Sequence, residues 1–198
     1  MTAATQEAHA AGPADRPQVE IVPLKGLPIV AIVVIGIVWA IKSDSRWALT
    51  WFHVAGGGLW TGVDLFFGLV LGPIIGRMSL QGRVELTARL MPKMVLIVPT
   101  LVTMTLAAGF QLARLNGYLD TSYPRHGWVV ASMIVVAVMA VLAIGLLEPA
   151  NLGVLFEMRK PQPDGLVIEK LMKRFIYCSG VIAAMQVATL IIMTRIAS

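Results

Sequence analysis

The sequence is short of charge, of cysteine and of the signatures of soluble enzymes. Asp, Glu, Lys and Arg make up 14% of its 198 residues, against about 25% in an ordinary soluble domain. That shortage excludes a soluble globular enzyme and an intrinsically disordered chain, both of which depend on polar surface. A single cysteine, Cys178, excludes an internal disulfide framework and a cysteine-cluster metal site. There is no Walker motif, GxGxxG fingerprint, HExxH pair or internal repeat. Acidic residues are the scarcer charge, 11 against 16 Lys and Arg, for a net charge of +5. In so apolar a chain this excess reads as anchoring against anionic lipid, with no nucleic-acid partner implied.

What the sequence has is long apolar runs. Hydrophobic residues make up 57% of it, and the mean hydropathy is +0.78. Charge-free runs cover 26–41, 94–113, 127–147 and 175–194, and another covers 47–76 with Asp64 as its one interruption. About 20 apolar residues in a helix span the hydrocarbon layer. The first run is shorter, but Lys25 and Lys42 can extend outward from its ends. None of the runs alternates apolar with polar residues, so strands are not expected. The sequence therefore predicts an all-α integral membrane protein with five transmembrane helices, at about 26–42, 47–74, 93–114, 127–150 and 174–195. The architecture expected is a four-helix bundle core plus one N-terminal helix. Residues 1–22, His9 among them, read as a disordered cytoplasmic tail, and 23–198 as a single membrane domain. The first run reads as a span and not as a secretory leader, since no small-x-small site follows it. Pro161, Pro163 and Gly165 should break the 151–174 connection, with Leu166–Lys173 a short amphipathic lead-in to the last helix.

Lysine and arginine bias sets the expected orientation. Arg16, Lys25, the 73–93 connection and the 151–174 connection put eleven Lys and Arg on one side, against five on the other. This predicts a bacterial inner membrane protein with a cytoplasmic N-terminus and a periplasmic C-terminus. Trp39, Trp47, Trp51 and Trp128 all fall near the expected outer interface.

The second run carries the chemistry. His53, Gly57, Trp60, Asp64 and Phe67 recur at helical spacing, and at 3.6 residues per turn Asp64 lies only about 20° round from His53. One stripe thus holds an imidazole, an indole N–H and a carboxyl, with Gly56, Gly57, Gly58 and Gly62 leaving the surface flat. Ionisable groups inside a membrane are costly and read as functional. A neutral imidazole in a bundle is a good axial ligand for haem iron, so His53 is the candidate metal ligand and Gly57 part of a candidate slot. Arg46, Arg114 and Arg125 are outer-side cations suited to propionates, and Met133 or His126 is the candidate second axial ligand. Asp64, about 25 Å in from the outer interface, is expected to pair with Lys93, and Trp60 and Asp64 form a candidate proton relay. The same residues also suit plainer roles. His53 could make an interhelical hydrogen bond, the glycines a packing surface, His126 an interfacial loop position and Asp64 a structural pair. The 11 methionines and Cys178 read as packing.

The segment WFHVAGGGLWTGVDLFF resembles the first core helix of a loose group of small bacterial membrane proteins. The group comprises the HemJ-type protoporphyrinogen oxidase, the membrane domain of the PuuD-type urate oxidase, and CopD-like proteins. The likeness rests on a His followed seven residues later by Trp-x-Gly, here His53, Trp60 and Gly62. It continues through ARLMPKMVLIVPTLVTMTLAAGFQLARL with Pro99 and Gly109, HGWVVAS with Trp128, and KRFIYCSGVIAAM, over about residues 46–195. The resemblance implies a four-helix core binding haem b through His53, and redox activity. The HemJ type has a Lys soon after the Trp of its third core helix, where Gly127-Trp128-Val129-Val130-Ala131 has none. The fold and the haem ligand therefore carry over more directly than an oxidoreductase activity of HemJ type.

The expected function is electron transfer by a haem-b-binding membrane protein, acting alone or as the membrane subunit of a larger redox complex. Its expected partners are membrane lipid, other membrane or periplasmic redox subunits, and quinone. Two alternatives stand beside it: a cofactor-free accessory or assembly subunit packed against a larger membrane enzyme, and CopD-like copper transport.

Overall fold

The structure, a computed structural model, describes residues 21–198. The tail expected over 1–22 therefore lies almost wholly outside the described residues, and His9 and Arg16 with it. Among the described residues every regular element is helical, and the chain is an all-α membrane protein. Five helical stretches are long and apolar enough to cross a bilayer: Leu24–Lys42, Arg46–Arg77, Gln81–Leu115, His126–Met158 and Gly165–Ala197.

Helix α1 (Leu27–Lys42) follows a single 3₁₀ turn over Leu24–Gly26. The second span is α2 (Arg46–Leu65), a π-helical turn over Phe66–Leu71, and α3 (Gly72–Arg77). The third is α4 (Leu80–Leu115). The fourth is α5 (His126–Leu142), a second π turn over Ala143–Leu147, and α6 (Glu148–Met158). The last is α7 (Gly165–Ala197).

Both π turns have a cause in the sequence. Pro73 and Pro149 follow them within two residues. A proline ring offers no N–H and pushes away the carbonyl four residues back, so the preceding turn widens. Accordingly Gly72 N–H donates to Phe67 O and Glu148 N–H to Ala143 O, one residue further back than in an α-helix. Side chains start three of the spans: Ser45 Oγ accepts from Ala48 N, Ser79 Oγ from Gly82 N, and Asp164 Oδ1 from Leu166 N and Val167 N.

Helices run beyond the apolar runs. Helix α4 begins 13 residues before the position expected for it, because 80–92 is an amphipathic helix start with Arg83, Glu85 and Arg89. The fourth span continues through Pro149 to Met158. The 151–174 connection shrinks to 159–164, and Leu166–Lys173 belongs to α7 itself. The connection 116–125 turns at Gly117, whose φ of +68 suits glycine. There the Asp120 carboxylate accepts the Ser122 backbone N–H and hydroxyl, which holds it below the usual carboxylate pKa.

The second span packs against α4 and α7, and the fourth span packs against the same two helices. The four thus close into a ring around a core that includes Trp60, Phe67, Met91, Met139 and Phe175. Phe67 and Phe175 meet edge to face at 5.2 Å. Helix α1 lies outside the ring against α4 and α2, through Ala40, Ala48, Leu49 and Ala108. This is the expected four-helix core with one leading helix. Spans two and five approach closely at Gly68, where an added Cβ would lie 3.2 Å from Gly180 Cα. Trp39, Trp47, Trp51 and Trp128 are all exposed on the outer surface of the protein.

The turn at Met78–Ser79 is tied by Arg83, whose Nη2 donates to Gly76 O at 2.9 Å and whose Nε donates to Met78 O at 3.1 Å. These carbonyls, at the end of the second span and just past it, have no helical partner. Arg83→Ala is expected to lower stability in detergent by about 1–2 kcal/mol, seen as a drop in the thermal unfolding midpoint. Arg89→Ala, removing only the exposed pair with Glu85, should shift it far less.

Candidate functional site

His53 stands two turns into α2, facing α4. Its Nδ1 lies 2.9 Å from the Thr105 carbonyl oxygen. A carbonyl accepts only, so Nδ1 carries the proton and donates, and Nε2 keeps its lone pair. Gly109, one turn along α4, makes room for the ring: a Cβ there would lie 2.5 Å from Nδ1 and 2.6 Å from Cε1. Gly56 lets α4 approach, since its own Cβ would come within 2.7 Å of Thr105 Oγ1. Gly57 faces Thr105 Cγ2 at ordinary contact distance. These two glycines are helix-packing surface, filled by α4. Gly58 and Gly62 face open space on the outside of the bundle.

Asp64 lies 2% exposed between spans two and five. Ser179 Oγ donates to its Oδ1 at 2.7 Å, and Gln186 Nε2 donates to its Oδ2 at 3.1 Å. The expected Lys93 pairing is therefore wrong: Lys93 is exposed, and Asp64 turns to α7. Depth along the helix axes matched the two residues, but depth says nothing about which neighbour a side chain faces. Trp60, one turn above and 3% exposed, keeps its Nε1 buried on the Asp64 side.

His53 and Asp64 share a stripe, as the spacing predicts, yet the stripe runs along the seam between α4 and α7. Its upper end meets α4 and its lower end α7, so the two groups serve different contacts.

The remaining site residues do not gather at His53. Met133 is 44% exposed on α5, the fourth span, which faces α2 across the ring. His126 Nδ1 approaches the Tyr118 carbonyl at 3.4 Å, in the connection ahead of α5. Arg125 reaches Ile196 O at the end of α7, while Arg114 donates to Gln111 on its own helix. Arg46 caps α4 at Leu115 O. Among the described residues no three His, Cys, Asp or Glu side chains converge.

Two polar groups escaped the sequence reading. Glu148 closes the fourth apolar run and lies inside the helix expected over 127–150, which continues past it to Met158. Its Oε1 is buried without a hydrogen bond, and it lines a cavity of about 60 Å³ with Pro99 and Thr103. Asn151, three residues on from Glu148, is fully buried beside it. The Glu148-Pro149 pair was the available signal, since a proline just after a helix's first residue continues that helix comfortably. No family model matches the chain, and neither a curated protein nor a solved structure matches it.

Proposed function

We propose that the protein is a haem-b-binding electron-transfer component of a bacterial inner membrane, with its N-terminus cytoplasmic, acting with a larger redox complex. The observation that carries this reading is the bond from His53 Nδ1 to the Thr105 carbonyl. Histidines that ligate metals nearly always donate their other ring proton to such a partner, which fixes the tautomer and raises the basicity of the ligating nitrogen. The donor set also favours haem over a bare ion: one protein nitrogen suffices when a porphyrin brings its own four. Haem, when bound, supplies a one-electron couple. The chain supplies the rest. Thr105 and Gly109 hold the imidazole in one orientation, and Arg114, nine residues beyond Thr105 on the same helix, would be the cation offered to a propionate. Asp64, with Ser179 and Gln186, holds a proton site further down the bundle. His53 Nε2 would hold the iron, with the imidazole fixed through Nδ1 by Thr105.

The test is the visible spectrum of the purified chain before and after dithionite. A Soret band that shifts on reduction, and that is lost in His53→Gln, supports the reading. A chain that incorporates no haem when expressed with haem supplied overturns it.

One observation favours the accessory-subunit reading instead. Gly58 and Gly62 present a smooth, open surface on the outside of the bundle, of the kind that admits a neighbouring helix. A chain without haem that copurifies with a larger membrane enzyme in mild detergent would establish that role.

A further inference from the structure

At the basic end of the bundle a groove of about 320 Å³ opens between α3, the start of α4 and the first turns of α7. Its floor is the glycine face of the second span, Gly68, Gly72 and Gly76, set four residues apart on one side of the helix. Its opposite wall is Ile168, Met172 and Ile176 of α7. The groove narrows inward, where a Cβ on Gly72 would lie 3.0 Å from Ile176 Cγ2, and is open at Gly76, whose Cβ would meet nothing within 4 Å. Tyr177, 74% exposed, stands at its side, so the groove opens on the surface that faces lipid.

The polar groups lie at one end only. Lys173 Nζ sits 2.7 Å from Glu169 Oε1, and Arg83 Nη1 sits 3.8 Å from the same oxygen. Two cations share one carboxylate, so the rim carries a net positive charge. Both cations retain N–H groups for a further acceptor: Lys173 is 64% exposed, and Arg83 Nη1 makes only the long contact. The connections at this end add Arg77, Lys170 and Arg174 nearby in sequence.

We infer that this groove binds an anionic phospholipid, its phosphate at Arg83 and Lys173 and one acyl chain along the glycine floor. The charge layout selects the occupant. A cationic rim above an apolar trough fits an amphiphile with a negative head, and basic pockets between spans hold such headgroups on the cytoplasmic side, where the proposed orientation puts this end. A free anion would engage the rim but leave the trough unfilled, while a zwitterionic lipid would fill the trough and gain less from the rim.

The test uses the full chain in a neutral detergent, titrated with phosphatidylglycerol or phosphatidylcholine and read by native mass spectrometry. The expected result is retention of one phosphatidylglycerol with a preference of about fivefold for each cation engaged. Lys173→Gln is expected to reduce that preference by about fivefold. Gly76→Leu, which blocks the trough with every charge in place, is expected to reduce retention of both lipids. Unchanged retention in Gly76→Leu, equal retention of the two lipids by the parent, or complete displacement of the lipid by inorganic phosphate would each overturn the assignment.

Discussion

Gly109→Ala is expected to dislodge His53 and to cost the protein about 1–3 kcal/mol of stability. The new methyl group would stand 2.5 Å from Nδ1, well inside contact distance. Either the ring swings away and loses its 2.9 Å bond to Thr105 O, or α2 and α4 separate at their tightest contact. Gly58→Ala is the matched control, because its Cβ meets nothing within 4 Å. There the lower backbone entropy of alanine leaves stability within about 1 kcal/mol of the parent. Two measurements separate the effects. Thermal unfolding in detergent reports the packing cost. Nitrogen NMR of labelled histidine reports the tautomer, which should lose its fixed Nδ1–H form in Gly109→Ala alone. If haem is bound, its spectrum should change in the same variant. A Gly109→Ala protein with an unshifted histidine signal would show that the ring is not held by α4.

Asp64→Ala is expected to destabilise the protein by about 1–3 kcal/mol, and Asp64→Asn by much less. The alanine variant leaves the Ser179 hydroxyl and the Gln186 amide buried without their acceptor. Ser179 can turn back to a carbonyl of its own helix, but Gln186, 3% exposed, has no such recourse. Interhelical hydrogen bonds in membranes are individually modest, about 0.6 kcal/mol on average, and the unmet groups account for the larger share. Asparagine can keep the whole arrangement. Its carbonyl accepts from Ser179, and its amide donates to Gln186 Oε1, which is unpaired in the parent, once the glutamine amide turns over. Equal melting of the alanine and asparagine variants would show that these bonds contribute nothing to stability. A redox-linked proton uptake seen in the parent and lost in the stable asparagine variant would place the proton at Asp64.

The bundle was largely legible in the sequence because the bilayer makes a single demand on every span. Charge-free length located all five helices, and the resemblance over about residues 46–195 left the first run outside the four-helix core. Helix ends were less legible. A span can continue as an amphipathic helix once it leaves the hydrocarbon, as α4 does through Arg83, Glu85 and Arg89, and hydropathy falls there while helicity does not. The stripe through His53 and Asp64 was visible as periodicity. What each of them faces was not, because azimuth within a bundle depends on where two neighbouring helices meet, and Lys93, level with Asp64 on the third span, looked available. The partners at Ser179 and Thr105 had no signature at all: one is an ordinary hydroxyl that donates and the other a backbone carbonyl that accepts, selected only by packing at Gly68 and Gly109.

The two widened turns have a consequence for how this chain tolerates change in length. Each accommodates one more residue than a regular helix would at that point, so excising a single residue from 66–71 would close that turn into regular helix and leave everything beyond it facing as before. Pro73 and the Arg83 tie would keep their places. The same excision in 143–147 would leave Glu148 and Asn151 in the interior. In a regular stretch of the same spans, such as 50–60, the loss of one codon would instead swing all that follows by about 100°.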